Sequence, residues 1–298
     1  MSSMGDQRPP QKIRLVRLAH VYYTHSDLEV ARQFFLDFGF TIVSDLGDAL
    51  YFKGYGVDPF VYYATAGPAN TFGGAAFIVE SLADLELASA TLPNATPVED
   101  SAAPGGGKRV TFRDPVDDFP MHLVFGQTLV PKSGPQLTER DYNYPDTKNR
   151  AVNKTQRFKK APAPVHKMWH FGCCVTDFAK TYGFYTTRFN LKPSDLVHDS
   201  TGKDITTFLH LDRGMEAVDH HMFFFFEGML VPGELFRRMV GLHDMCCAGP
   251  KFHVHHSSFE VHDFDIQSLD HQWLREKGYD LVWGVGRHVL GSQIFDYW

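Results

Sequence analysis

The stretch Phe252 to Asp263, FHVHHSSFEVHD, decides the fold, because it sets imidazoles on a segment that reads as a half-buried strand. From His256 the pattern runs through Phe259, Val261 and Asp263, which predicts an apolar face with His256 projecting from it. A histidine in that position is either a core group satisfied by a carbonyl or a water, or a ligand.

The same spacing recurs elsewhere. His170 stands seven residues before Asp177, and His20 seven before Asp27, as His256 stands before Asp263. Each aspartate opens a stretch of helical periodicity, so it reads as an N-cap between a strand and a helix. In the helix after Asp27, Leu28, Ala31, Phe35 and Phe38 share a face, and Gly39 ends it. Gly74 opens a further unit in the place that His256 holds later, so the first half has the framework with part of its histidine set missing. His122 falls where that half would carry a third ligand, and the pair with His20 reads as a vestigial pocket. Four strand–helix–strand–strand–strand units, paired into two domains, account for the pattern.

The expected fold class is therefore α+β, with two domains each of paired βαβββ modules. Residues 1–12 read as a disordered tail, 13–127 as the N-terminal domain, 128–165 as a surface linker and 166–298 as the C-terminal domain. At 298 residues, 43% hydrophobic and 14% aromatic, the chain is long enough for two real cores. A formal net charge of -6, with no long basic run interleaved with aromatics, argues against nucleic acid as a partner. No segment reads as a secretory signal or a membrane span. The cysteines form two adjacent pairs, Cys173/Cys174 and Cys246/Cys247, which lack metal-site spacing and read as reduced thiols. The expected location is cytoplasmic. The segment Val231–Gly249 reads as an insertion with a short helix at Glu234–Leu242, placed where a lid would lie.

In the order and spacing of these motifs the chain resembles the vicinal oxygen chelate (glyoxalase/bleomycin resistance) superfamily. Its second half is similar to the catalytic domain of the type I extradiol ring-cleaving, catechol 2,3-dioxygenase-like dioxygenases. The resemblance implies that His170 and His256 are iron ligands and that His220, in DHHMF, is the acid–base group, with His221 its rival. It further implies that His288, in the turn Gly286-Arg287-His288, and Tyr297 bind substrate oxygens. The cofactor would be Fe(II), with Mn(II) also compatible. The partners would be a small aromatic diol and dioxygen, with a homo-oligomer also open.

Two neutral imidazoles and one carboxylate on one face of a ferrous ion leave positions for a bidentate diol and dioxygen. The resemblance places that carboxylate on a last strand beyond Trp298, so the last strand of the C-terminal module is expected to be truncated. Asp199, Glu216 and Glu227 are substitutes by composition alone. Two other readings stay open at this point: a small-molecule-binding or inactive member of the superfamily, and a glyoxalase-like metal-dependent lyase or isomerase.

Overall fold

The structure is a computed structural model that describes residues 11–134, 142–154, 157–228 and 252–298. The expected insertion helix, Cys246/Cys247 and nearly all of the expected tail lie outside the described residues.

The helices start where the carboxylates predict. Asp27 is extended (φ −134) and accepts from the N–H groups of Glu29 and Val30, and α1 then runs Leu28–Phe38. Gly39 closes it at φ +110, the left-handed region that a side chain disfavours. Ser81 caps α2 (Leu82–Thr91), Asp177 caps α3 (Phe178–Arg188) and Asp263 caps α4 (Phe264–Glu276).

In the first half, β1 (Leu15–His25), β2 (Thr41–Asp45), β3 (Ala49–Lys53) and β4 (Tyr62–Ala66) form one unit with α1. A second unit combines α2 with β5 (Thr71–Val79), β6 (Glu99–Asp100), β7 (Lys108–Arg113) and β8 (Pro120–Phe125). Together they make one eight-stranded sheet, ordered β2-β3-β4-β1-β5-β8-β7-β6. Each leading strand lies parallel to the last strand of its own unit, β1 to β4 and β5 to β8. The two units join where β1 and β5 run antiparallel.

The second half repeats this plan. β9 (Lys167–Val175), β10 (Leu191–His198), β11 (Asp204–Leu211), β12 (Phe223–Glu227) and β13 (His253–Glu260) give a sheet ordered β10-β11-β12-β9-β13. β9 is parallel to β12 and antiparallel to β13, as β1 is to β4 and β5. β14 (Trp283–Arg287) and β15 (Ile294–Tyr297) pair with each other in a separate ribbon. The fold is thus α+β, built from paired βαβββ modules. Among the described strands, β13 has no second neighbour in the place that β8 takes beside β5.

One buried cluster runs through both halves, joining Leu15, Phe77 and Phe112 to Phe171, Tyr185 and Phe225. Phe171 stacks on Phe223 with ring centres 4.5 Å apart and meets Phe77 at 5.8 Å. Burying each such ring stabilises the fold by about 1.5–3 kcal/mol before entropy is counted. A second seam joins α1 to the end of α4, where the Tyr279 hydroxyl donates to Asp37 at 2.9 Å and Lys277 pairs with it at 3.2 Å. The segment expected to wrap the surface does so over 142–154, where every residue is exposed. Its end does not. Ala163 and Val165 are buried, and the Val165 N–H donates to Gly39 of the first half.

Candidate metal centre

The leading strands of the two second-half units bring His170, on β9, and His256, on β13, face to face. Their Nε2 atoms are 2.9 Å apart. The two nitrogens either form a single N–H···N bond or share a cation. Two ligands at about 2.1 Å from one ion and at right angles would sit about 3.0 Å apart, so the separation suits neighbouring positions on a divalent ion. His170 Nδ1 is buried without a hydrogen-bond partner. Burial, reinforced by neighbouring histidines, holds both imidazoles well below the usual histidine range. They are therefore neutral at pH 7, the form that binds metals.

The strand reading needs one correction. His256 packs against His170 and Phe224. Phe259 lies on the other face, with Phe40 at 4.8 Å, and Ser257 there hydrogen-bonds the Tyr23 hydroxyl at 2.8 Å. Strand alternation puts residues three apart on opposite faces, so the apolar face and the histidine face are different. The pairing of β13 with β9 also slips between Val254 and His256 and between Ser258 and Phe259. A bulge of this kind re-aims side chains. It leaves His255 Nδ1 only 2.6 Å from His256 Nδ1, although the two are neighbours in sequence. Burial brings His255 down to about 4, so it too is neutral. If Nε2 of His256 holds a cation, its Nδ1 carries the proton and donates it to His255, which orients the ring.

His288 and Tyr297 join the same site, with His288 Nε2 3.1 Å from the Tyr297 hydroxyl and the Tyr297 ring 5.0 Å from that of His256. Both line, with His170 and His256, a cavity of about 650 Å³ whose walls include Trp169, Phe259 and Phe295. His220 stands further back. Its Nε2 is 2.9 Å from Asp195 Oδ2 and its Nδ1 is 3.1 Å from Nδ1 of His221. It is His221 whose ring lies against His170, at 4.4 Å, where burial drives it down to about 3. Sequence reasoning did not single out Trp169, read His255 as a surface or supporting group that could line the pocket, and did not single out Asp195. The first two flank the metal-type histidines in the sequence, which was the available signal.

Among the described residues, no group of three His, Cys, Asp or Glu side chains gathers to hold a metal. The three substitutes by composition are committed elsewhere. Asp199 accepts from Thr201 and Lys203 in a turn, Glu216 pairs with Arg213, and Glu227 pairs with Lys203. Among the described residues the donor set thus fits two neighbouring positions of an ion.

In the first half, His122 bonds Thr111 Oγ1 at 2.8 Å through Nδ1 and donates to the Gly73 carbonyl at 2.9 Å through Nε2. His20 bonds the Tyr22 hydroxyl at 2.9 Å. A Cβ on Gly74 would come within 2.5 Å of His122 Nε2, so the imidazole occupies the space a side chain there would need.

Residues 167–296 match the glyoxalase/bleomycin resistance protein/dioxygenase superfamily. Nearly the whole chain is similar in fold to solved structures, among them these two. One is the Mn(II)-bound glyoxalase of Novosphingobium aromaticivorans, with a TM-score of 0.69, 21% identity, and coverage of 96% of this chain and 78% of that one. The other is homoprotocatechuate 2,3-dioxygenase of Brevibacterium fuscum, in an anaerobic complex with 3,4-dihydroxyphenylacetate. Here the TM-score is 0.74 and the identity 14%, with coverage of 97% and 79%. At these identities the likeness establishes the fold. No curated protein sequence is significantly similar to this chain. No helix among the described residues is long and apolar enough to cross a membrane.

Proposed function

We propose that the second half is a non-haem iron centre that cleaves a catechol-type ring with dioxygen next to the vicinal hydroxyls. The carrying observation is the His170–His256 pair, two neutral imidazoles at ligand spacing on the wall of an aromatic cavity. Fe(II) is the proposed ion, held through the two Nε2 atoms. When bound, it supplies the Lewis-acid and redox chemistry that lets dioxygen react with a closed-shell aromatic ring.

The chain's own residues do the rest. His288 Nε2 and the Tyr297 hydroxyl hydrogen-bond the substrate oxygens and stabilise charge that develops there. The His220–His221 pair takes a proton from a substrate hydroxyl and returns one to the product as the ring opens, with His221 the member beside His170. Trp169 and Phe295 wall the cavity and exclude water from the reacting ring.

The test is anaerobic loading with Fe(II) or Mn(II), followed by metal analysis and oxygen uptake on catechol and 2,3-dihydroxybiphenyl. The proposal expects about one ion per chain and oxygen consumed in step with diol loss. In His170→Ala the rate falls by about 10³-fold or more. Metal binding with no oxygen uptake on either diol, but turnover of a hemithioacetal, would replace the reading with a lyase or isomerase. Tight binding of an aromatic compound by metal-free protein, with no turnover, would replace it with a small-molecule-binding protein.

A further inference from the structure

The turn before β12 carries a chain of hydrogen bonds that leads from the surface into the site. β10 holds His220 at two points. The Ser194 hydroxyl donates to the His220 carbonyl at 2.5 Å, and Asp195 Oδ2 lies 2.9 Å from His220 Nε2. Ser194 and Asp195 are adjacent, and both reach His220 because the β10–β11 register slips between Pro193 and Asp195. From His220 the chain continues through Nδ1 to Nδ1 of His221, at 3.1 Å, and the His221 ring lies 4.4 Å from His170.

These contacts have a direction. A carboxylate only accepts, so a His220 that carries a single ring proton holds it on Nε2, facing Asp195. That leaves His220 Nδ1 as a lone pair, which in turn requires His221 to carry its proton on Nδ1. The Nε2 of His221 is then left as a lone pair. Without the carboxylate, either order of donors and acceptors is allowed, and one of them removes the lone pair from His221 Nε2.

We propose that Asp195 is a positioning residue that fixes, through His220, the tautomer of His221 and so keeps the lone pair on its Nε2. The proposal rests on reading His221 as part of the acid–base pair. Asp195 acts through two rings without touching substrate, and its side chain is one-third exposed (33%). Exchanging its carboxylate therefore disturbs no core contact.

The experiment is a two-bond ¹H–¹⁵N correlation spectrum of ring-labelled histidine in the wild type and in Asp195→Asn, Asp195→Glu and Asp195→Ala. Thermal melts of all four check the fold. In the wild type, His221 is expected in the Nδ1–H form. In Asp195→Asn the amide can donate to His220 Nε2 and reverse the chain, so His221 is expected to change to the Nε2–H form. Asp195→Glu restores the wild-type signature. Oxygen uptake on a catechol follows the tautomer, with kcat down about 100-fold in Asp195→Asn, KM little changed and recovery in Asp195→Glu. The same His221 signature in wild type and Asp195→Asn overturns the proposal, as does a changed tautomer with unchanged kcat. If the wild type cleaves no diol, the ring-cleavage reading fails while the spectra still decide whether Asp195 sets the tautomer.

Discussion

The two halves are built on one plan and have used their interiors differently. In the first, β8 lies beside β5 and completes an eight-stranded sheet. Its histidines are absorbed into ordinary structure: His122 is bonded through both nitrogens, and His20 is bonded to Tyr22 and packed 4.0 Å from Phe60. In the second, His170 and His256 face each other across a cavity, and Nδ1 of His170 is buried without a partner. A buried polar atom left unpaired costs about 1–3 kcal/mol. The first half therefore carries histidines bonded to other residue types, whereas, in the second, two histidine Nε2 atoms meet each other at ligand spacing and one ring nitrogen stays unpaired. Position in the repeat does not make a site. What distinguishes one is whether the protein has already satisfied its donors.

The largest expected effect breaks or upholds that contrast directly. His170→Ala or His256→Ala should abolish metal binding, while His20→Ala and His122→Ala should leave the stoichiometry unchanged, all by metal analysis after Fe(II) loading. Metal lost in His122→Ala and kept in His170→Ala would reverse the roles of the halves.

A smaller effect concerns a buried carboxylate on each second-unit helix. In α2, Asp84 accepts from the Arg14 N–H at 2.8 Å and pairs with the Ser81 hydroxyl at 2.5 Å. In α4, Asp270 has a buried oxygen without a partner, and its carboxyl is pushed up to about 8, chiefly by burial and then by the charges of Asp296 and Asp37. A carboxyl raised in the folded state contributes stability that is fully present below the unfolded value of about 4. That contribution is lost as pH rises through about 8. Asp270→Asn, which cannot ionise, should flatten the loss and gain about 1–3 kcal/mol over the wild type at pH 8. Urea midpoints at pH 5 and pH 8 check this, and Asp84→Asn should show no such gain. An equal urea midpoint for wild type and Asp270→Asn at pH 8 would mean that Asp270 is not held protonated.

The smallest effect tests what the halves share. Asp27→Ala and Asp263→Ala each remove an N-cap and should cost about 1 kcal/mol. Thermal melts that rank one cap far above the other would mean the two helices are not supported equally by their sheets.

Much of this plan was legible in the chain itself. The seven-residue interval from histidine to aspartate fixes where a strand ends and a helix begins, because a carboxylate cap is a local interaction needing only the next few N–H groups. Asp27, Asp177 and Asp263 do cap helices, and Gly39 ends α1. The histidines of the expected site, His170, His256 and His288, meet Tyr297 around one cavity.

The rest depended on how strands register against their neighbours. Whether His256 shares a face with Phe259, whether His255 reaches His256, and whether His220 or His221 lies against His170 all turn on slips of a single residue in β13 and β10 and on the turn before β12. A slip of one residue moves every following side chain to the opposite face. The sequence by itself determined the repeat, the caps and the set of histidines. Only the tertiary structure decided which of two adjacent histidines points inward, because that choice is made by the partner strand and not by the residue.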